Sequence, residues 1–182
     1  MKKFYFFILI ILLNNGVQAS EKDKIIENLK NIRNIIFNFE QNINDKIENG
    51  VCTIQYPKKI FCKYNLKNKK ILVSNGKSLV IKSLSSYYLY PLDKTPLNLI
   101  LDKNFLIRAI NNSEERIIED KFINYSFSEK DNEINIFFDK NTYELIGWQI
   151  LDIYQNLSIT FISSIIKNQK LKKNLFEIPK QN

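Results

Sequence analysis

The chain has 182 residues, 27 basic and 19 acidic side chains, a formal net charge of +8 and no histidine. Its length favours a single domain. Without histidine, no Ser-His-Asp or Cys-His nucleophile can form, and two cysteines alone do not complete a tetrahedral zinc site. The four glycines are scattered, so no glycine-rich phosphate loop is present. We therefore expect a protein that is not an enzyme and that uses no metal or cofactor.

The N-terminus has the three parts of a secretory signal peptide. Basic "MKK" precedes the apolar run "FYFFILIILL", and polar, small-residue "NNGVQAS" follows. Ala19 fits the small-x-Ala cleavage rule, and the apolar run is too short for a mature membrane anchor. We therefore expect residues 1–19 to be a cleaved signal peptide and residues 20–182 to form one secreted domain, in a compartment where disulfides persist.

Cleavage would remove Lys2 and Lys3 and lower the formal charge to +6, which is 8 minus 2. Two interpretations of this basic excess stay open: a solvated surface, or attraction to anionic headgroups and acidic partners. No recognised nucleic-acid module surrounds the lysines, and a secreted protein has little contact with nucleic acid. We expect no nucleic-acid partner.

Residues 21–38 have the apolar spacing of one amphipathic helix. Ile25, Leu29, Ile32 and Ile36 recur three or four positions apart, which is typical of a helix with one apolar stripe. The spacing predicts a helix packed on a core or over a cavity.

After this helix the apolar period changes to two, which predicts strands. In "FNFEQNIN", "GVCTIQY" and "IFCKYNL", alternate residues such as Phe37 and Phe39 share one face. Asn75-Gly76 in "ILVSNGKSLVIK" predicts a two-residue hairpin turn that pairs Ser74 with Lys77. Pro91 is expected to end the next strand or to mark an edge.

A helical insertion then interrupts the strands. Thr95 is a candidate N-cap and Pro96 a candidate first helical residue, followed by Leu97, Ile100 and Leu101 at helical spacing. Strands are predicted again at 117–128, 133–139, 144–152 and 157–166. The fold class is therefore mainly β with α: a curled antiparallel sheet, or incomplete β-barrel, of about ten or eleven strands with a helical lid over a hydrophobic cavity.

Cys52 and Cys62 lie ten positions apart on either side of the turn in "YPKK". Their equal parity places both on one face of a hairpin, but they come into direct opposition only if the turn is irregular. A two-residue Lys58-Lys59 turn would place Cys52 opposite Asn65 instead. A disulfide is the leading interpretation, with two reduced core thiols, or a redox or metal role, as the alternatives.

Several stretches resemble the LolA family of periplasmic lipoprotein carriers over about residues 24–178. These are "FNFEQ" after the opening helix, "YPKKIFCKY", "ILVSNGKSL", "TPLNLIL", "LIGWQILD" and the terminal "LFEIP". The chain departs from the family pattern at three positions. Tyr56 replaces an arginine that helps hold the lid, Ile60 a phenylalanine and Cys62 a tryptophan. A tyrosine hydroxyl could hydrogen-bond a lid backbone, but more weakly than a charged group.

The resemblance implies a monomeric chaperone in the periplasm of a Gram-negative bacterium. It would bind the acyl chains of lipoproteins and carry them from the inner to the outer membrane. Its implied partners are acylated lipoproteins, an inner-membrane lipoprotein-releasing ABC transporter and an outer-membrane acceptor. The alternatives are a periplasmic sensor or interaction module, or a binding protein for free lipids, on the same open barrel.

Strand parity and the resemblance together predict the residues of the site. The expected cavity residues are Phe37, Phe39, Ile54, Tyr56, Ile60, Tyr64, Leu72, Leu79, Ile81, Trp148 and Ile150. The expected lid residues are Leu97, Ile100 and Leu101. A register error of one residue would turn a whole strand to the other face.

Overall fold

The structure is a computed structural model that describes residues 19–129, 132–152 and 154–181. The predicted signal peptide lies outside the described residues, apart from Ala19 at its end. Within the described part of the chain, no helix is long and apolar enough to span a membrane.

One antiparallel sheet of eleven strands dominates the fold. The strands are β1 (Asn34–Ile43), β2 (Lys46–Gln55), β3 (Lys59–Tyr64), β4 (Ile71–Asn75), β5 (Ser78–Lys82), β6 (Tyr87–Pro91), β7 (Arg116–Ile118), β8 (Phe122–Glu129), β9 (Asn132–Asp139), β10 (Leu145–Leu151) and β11 (Leu157–Lys167). Their order in the sheet is β6-β5-β4-β3-β2-β1-β11-β10-β9-β8-β7. The sheet stays open because β6 and β7 are its two edges, which confirms the predicted fold class.

Among the described residues, three α-helices accompany the sheet: α1 (Glu21–Asn31), α2 (Leu97–Ile100) and α3 (Lys103–Asn112). Ser20 caps α1 in a capping box with Asp23, so two of the helix's free amide groups are satisfied. The prediction of a helix through residue 38 is wrong. Ile32 is extended, the amide of Arg33 donates to Asn168 Oδ1 at 2.7 Å, and β1 begins at Asn34.

The helical insertion is longer than the single short helix that was predicted. After α2, the carboxylate of Asp102 accepts a hydrogen bond from the amide of Phe105 at 3.0 Å and caps α3. The predicted strand 117–128 is also divided, because Glu119 and Asp120 both adopt positive φ and turn the chain between β7 and β8.

The hairpin between β4 and β5 turns one residue later than predicted. Gly76, with a φ of +99°, and Lys77 connect the two strands. The side-chain oxygen of Asn75 accepts hydrogen bonds from the amides of Lys77 and Ser78. Ser74 consequently pairs with Leu79 rather than with Lys77. This shift preserves parity, so the predicted faces of β4 and β5 are retained.

The two longer helices cover one half of the concave face. Ile25 and Leu29 of α1 and Leu106 and Ile110 of α3 are buried in one core cluster with side chains of β8–β10, such as Ile123. Hydrogen bonds to the backbone fix α1 there, because the side-chain amide of Asn28 donates to the carbonyls of Thr142 and Tyr143. Over β2–β6, Leu97 of α2 and the preceding Thr95 and Pro96 line a cavity.

The C-terminal segment crosses the convex side of the sheet. The amide of Gln169 donates to Asn34 Oδ1 at 2.9 Å, and the ammonium of Lys82 donates to the carbonyl of Lys180 at 2.7 Å. Phe176 is buried and Leu175 is half-buried. This segment therefore spans from β1 to β5.

Cys52 and Cys62 are directly opposite on β2 and β3 and form a disulfide, with their Cα atoms 4.0 Å apart. The turn between the strands contains Tyr56, Pro57 and Lys58, and Lys58 has a φ of 66°. This three-residue turn excludes the two-residue alternative and supplies the irregularity that opposition needs.

We predict that the double variant Cys52→Ala/Cys62→Ala is less stable than the wild type by about 2–3 kcal/mol. A disulfide that closes a loop this short restricts the unfolded chain by about that amount. Urea unfolding measures the loss. Dithiothreitol should lower the wild-type midpoint towards that of the variant and leave the variant unchanged. A wild-type midpoint that does not move on reduction would contradict the assignment.

Candidate functional site

A cavity of about 330 Å³ lies on the concave face, in the half of the sheet that α1 and α3 leave uncovered. Its volume is within the range of ligand pockets in proteins. The wall is formed by residues of β1–β6, β10 and β11, and Thr95, Pro96 and Leu97 cover it from the helical insertion.

Many of the predicted cavity residues lie in this wall. They are Phe39, Ile60, Tyr64, Leu72, Leu79, Ile81, Trp148 and Ile150, together with Leu97 of the predicted lid and the disulfide of Cys52 and Cys62. The alternating pattern found them because one face of each strand turns towards the concave side.

The other predicted residues are packed elsewhere in the core. Phe37 and Ile54 share the concave face but are closed in, and Phe37 meets the edge of the Trp148 ring at 6.3 Å between centroids. Ile100 and Leu101 are fully buried in the core cluster. Tyr56 lines a small cleft beside Leu29 and Ile32 of the opening helical segment. These five residues lie outside the lining because α1, α2 and α3 close that end of the sheet.

Sequence reasoning missed a set of polar residues in the same wall. They include Gln41, Asn68, Lys70, Ser83, Ser86, Asp152, Ser158 and Thr160. The pattern in "LSITF" is misleading, because it suggests that Leu157, Ile159 and Phe161 face inwards. In the structure, Ser158 and Thr160 face inwards instead, and Phe161 is 57% exposed. Only the position of Gln41 after Phe37 and Phe39 gave a signal.

Half-buried Gln41 forms hydrogen bonds with buried polar side chains in this wall. The amide nitrogen of Gln41 donates to Ser158 Oγ at 2.9 Å and to Thr160 Oγ1 at 3.3 Å. The Tyr64 hydroxyl donates to Gln41 Oε1 at 3.4 Å. Burial raises the pKa of Tyr64, and the nearby Glu48 carboxylate adds to that shift. The phenol therefore stays protonated and available as a donor.

Lys70 lies beside this layer and forms an ion pair. Its ammonium contacts the carboxylate of Glu48, which is buried, and lies 4.2 Å from the centroid of the Tyr64 ring. Both partners are largely removed from solvent, so each would be costly to leave alone. The pair neutralises the one lysine among the described residues that line the cavity.

Two tyrosine hydroxyls meet at the mouth of the cavity. Tyr90 of the edge strand β6 and Tyr154 of the loop between β10 and β11 lie 2.9 Å apart. Desolvation, followed by this hydrogen bond, raises the pKa of Tyr90 to about 12. The contact joins the β6 edge of the sheet to the β10–β11 loop, two parts of the wall separated by most of the strand order.

The junction of α2 and α3 is held by Lys58 rather than by Tyr56. The Lys58 amide donates to the Leu101 carbonyl at 2.8 Å, and its ammonium lies 3.7 Å from the Asp102 carboxylate. In the described contacts, the Tyr56 hydroxyl makes no hydrogen bond. The Tyr56 ring instead lies 6.0 Å from the Lys103 ammonium, which itself donates to the Ile32 carbonyl at 2.8 Å.

The described residues hold no group of three or more acidic or cysteine side chains that could bind a metal ion. The site therefore offers an apolar cavity with a buried polar layer and a short helical cover. Such an arrangement suits the binding of a molecule that is mostly apolar and carries a few polar atoms.

One protein-family model matches most of the chain. The sequence model of the family described as "Outer membrane lipoprotein carrier protein LolA" matches residues 30–179. No curated protein matches the chain.

Solved structures with a similar fold share little sequence with the chain. A LolA superfamily protein from Nitrosomonas europaea is 8% identical, with a TM-score of 0.44, over 88% of this chain and 99% of that one. MucB is 9% identical, with a TM-score of 0.50, over 87% of this chain and 62% of its own. A putative lipoprotein-sorting domain from Vibrio parahaemolyticus is 8% identical, with a TM-score of 0.47, over 85% and 95% of the two chains.

We predict that Asp102→Ala lowers the free energy of unfolding by about 1 kcal/mol, because α3 loses its capping acceptor. Asp102→Asn keeps an acceptor for the Phe105 amide and removes only a partly solvated ion pair, so its loss should stay under about 0.5 kcal/mol. Urea unfolding measures both values, and hydrogen exchange in the first turn of α3 should accelerate only in the alanine variant. Equal losses in the two variants would contradict the capping role.

Proposed function

Because the chain belongs to the LolA family of outer-membrane lipoprotein carrier proteins, we propose that it binds the acyl chains of lipoproteins in its concave cavity. In this proposal it carries them through the periplasm from the inner to the outer membrane. The observation that carries the proposal is an apolar cavity in the concave face of an open sheet, under a four-residue helix.

The energetics of acyl chains explain why a carrier needs such a cavity. Each methylene taken out of water is worth about 0.8 kcal/mol, so a lipoprotein cannot cross an aqueous space with its chains uncovered. Phe39, Ile60, Leu72, Leu79 and Ile81 supply apolar surface for these chains. We propose that Tyr64, Trp148 and Ile150 complete the contact surface and that Leu97 covers it.

The predicted residues outside the lining have a supporting role in this proposal. Phe37, Ile54 and Tyr56 hold the wall in place from below, and Ile100 and Leu101 anchor the helical cover in the core. A carrier must also release its cargo, which requires a cover with two accessible positions. A cover that is short and attached through Lys58 at one end meets that requirement better than a long packed helix.

We propose that residues 20–182 form this carrier domain after cleavage of a signal peptide, and that it works as a monomer in the periplasm of a Gram-negative bacterium. The disulfide of Cys52 and Cys62 supports an oxidising compartment. The proposed partners are acylated lipoproteins, the inner-membrane ABC transporter that releases them and an outer-membrane acceptor. The family's fold is a binding and carrier fold, which supports a binding role.

We predict that Ile81→Glu abolishes the capture of acylated lipoproteins, because it places a carboxylate in the apolar wall. Ile81 is half-buried and lines the cavity, whereas Leu89 lies one strand away on the opposite face and is exposed. Leu89→Glu is therefore the matched control and should leave capture unchanged. The measurement is co-purification with acylated lipoproteins, after urea unfolding shows that both variants fold.

At least tenfold less acylated lipoprotein should co-purify with Ile81→Glu than with Leu89→Glu. Equal capture by the two variants, or a wild type that isolates only unacylated partners, would contradict the carrier proposal.

Depletion in cells separates a carrier from a sensor or interaction module. We predict that loss of the protein strands outer-membrane lipoproteins in the inner membrane, and that re-expression of Leu89→Glu, but not of Ile81→Glu, restores sorting. Membrane fractionation followed by detection of lipoproteins measures the distribution. Unchanged sorting in depleted cells would favour the sensor or the free-lipid alternative.

A further inference from the structure

The polar layer of Gln41, Ser158 and Thr160 is unexpected in the wall of an apolar container. Ser158 and Thr160 are 1% and 4% exposed, yet both line the cavity. Thr160 stands between Gln41 on β1 and Trp148 on β10, and Ser158 stands between Ile43 and Ile150. The layer therefore lies in the lining itself and not at a solvated rim.

The two hydroxyl groups each have an unused hydrogen atom. Both oxygens accept a hydrogen bond from the amide nitrogen of Gln41. A hydroxyl can accept and donate at the same time, and in the described contacts neither Ser158 nor Thr160 donates to an acceptor. A buried donor without an acceptor is costly, so a ligand oxygen that accepts both hydrogen bonds would gain affinity.

The position of the layer fits one part of a lipid. Ser158 is two residues from Asn156 at the end of the mouth loop, and Thr160 is two residues further along β11. At about 3.3 Å per residue, the two residues lie roughly 7 and 13 Å from Asn156 along the direction of β11. Phe39, Ile60 and Leu79 provide apolar wall beyond them. A lipid oxygen at this depth would lie in the linkage between an acyl chain inside the cavity and a polar head group at the mouth.

The charges around the layer select among oxygen acceptors. Lys70 is already paired with Glu48, and the Asp152 carboxylate also lines the cavity. No uncompensated cation therefore remains in the described wall for a free carboxylate or a phosphate. A neutral carbonyl oxygen can accept from the two hydroxyls without this electrostatic cost.

We infer that Ser158 and Thr160 form a subsite for the carbonyl oxygens of acyl esters or amides, so that the ligand is a neutral acyl lipid and not a free fatty acid. This inference rests on the proposed function, because it assigns a place in the cavity to the linkage between the chains and their head. Gln41 is the positioning residue, since its amide orients both hydroxyls.

The test compares a diester with a diether of the same shape. Dioctanoylglycerol has two carbonyl oxygens, and dioctylglycerol has none. Each lipid displaces the neutral fluorescent probe Nile red from the purified protein. The wild type should bind the diester at least tenfold more tightly, and Ser158→Ala/Thr160→Val should bring the ratio of dissociation constants to about one.

Two controls keep this test interpretable. Ser163→Ala removes an exposed hydroxyl on the outer face of the same strand and should retain the wild-type ratio. Thr160→Val alone leaves Ser158 as an acceptor for Gln41 and should give an intermediate ratio, which guards against a misfolded double variant.

Each remaining outcome has a distinct meaning. Equal binding of diester and diether by the wild type, or an unchanged ratio in the double variant, overturns the carbonyl subsite while the lipid cavity stands. Failure of the wild type to bind either lipid counts against the proposed function itself, and the subsite falls with it.

Discussion

The pairing of β1 with β11 is the constraint on which the rest of the structure depends. These strands come from opposite ends of the chain and pair along most of their length, from Ile35 with Lys167 to Ile43 with Ser158. They join β2–β6 on one side to β7–β10 on the other as one surface. A sheet of this size has to twist and curl, so its inward-facing residues line a common concavity. The polar layer of Gln41, Ser158 and Thr160 lies on this central pair.

The cavity arises because the helices cover this concavity unequally. α1 and α3 fill the side over β8–β10 with closely packed isoleucine and leucine side chains. On the other side, α2 has four residues and reaches the cavity through Leu97 and the residues just before it. The packed half supplies the core that keeps the protein folded. In the proposed carrier, the loosely covered half accepts and releases the ligand while the packed core stays covered.

Alternation of apolar residues along the strands predicted the inward face of β1–β5. The β4–β5 hairpin turns one residue later than predicted, but this displacement preserves parity, so the inward faces of both strands are unchanged. Alternation failed for β11, whose outer face carries Leu157 and Phe161 while its inner face carries serine and threonine. Long-range packing hid other features. The end of α1 depends on Asn168, which is distant in sequence. The burial of Phe37 and Ile54 away from the cavity depends on where the helices pack on the sheet. Local patterns contain neither signal.

Native mass spectrometry of the protein isolated from the cells that make it can show whether the proposed cavity holds the acyl chains of lipoproteins. Gentle isolation keeps non-covalent ligands in place, and activation in the instrument then releases them for identification. If the cavity holds these chains, the complex releases an acylated polypeptide. A protein that carries no ligand, or that carries only free lipid or unacylated polypeptide, would contradict it.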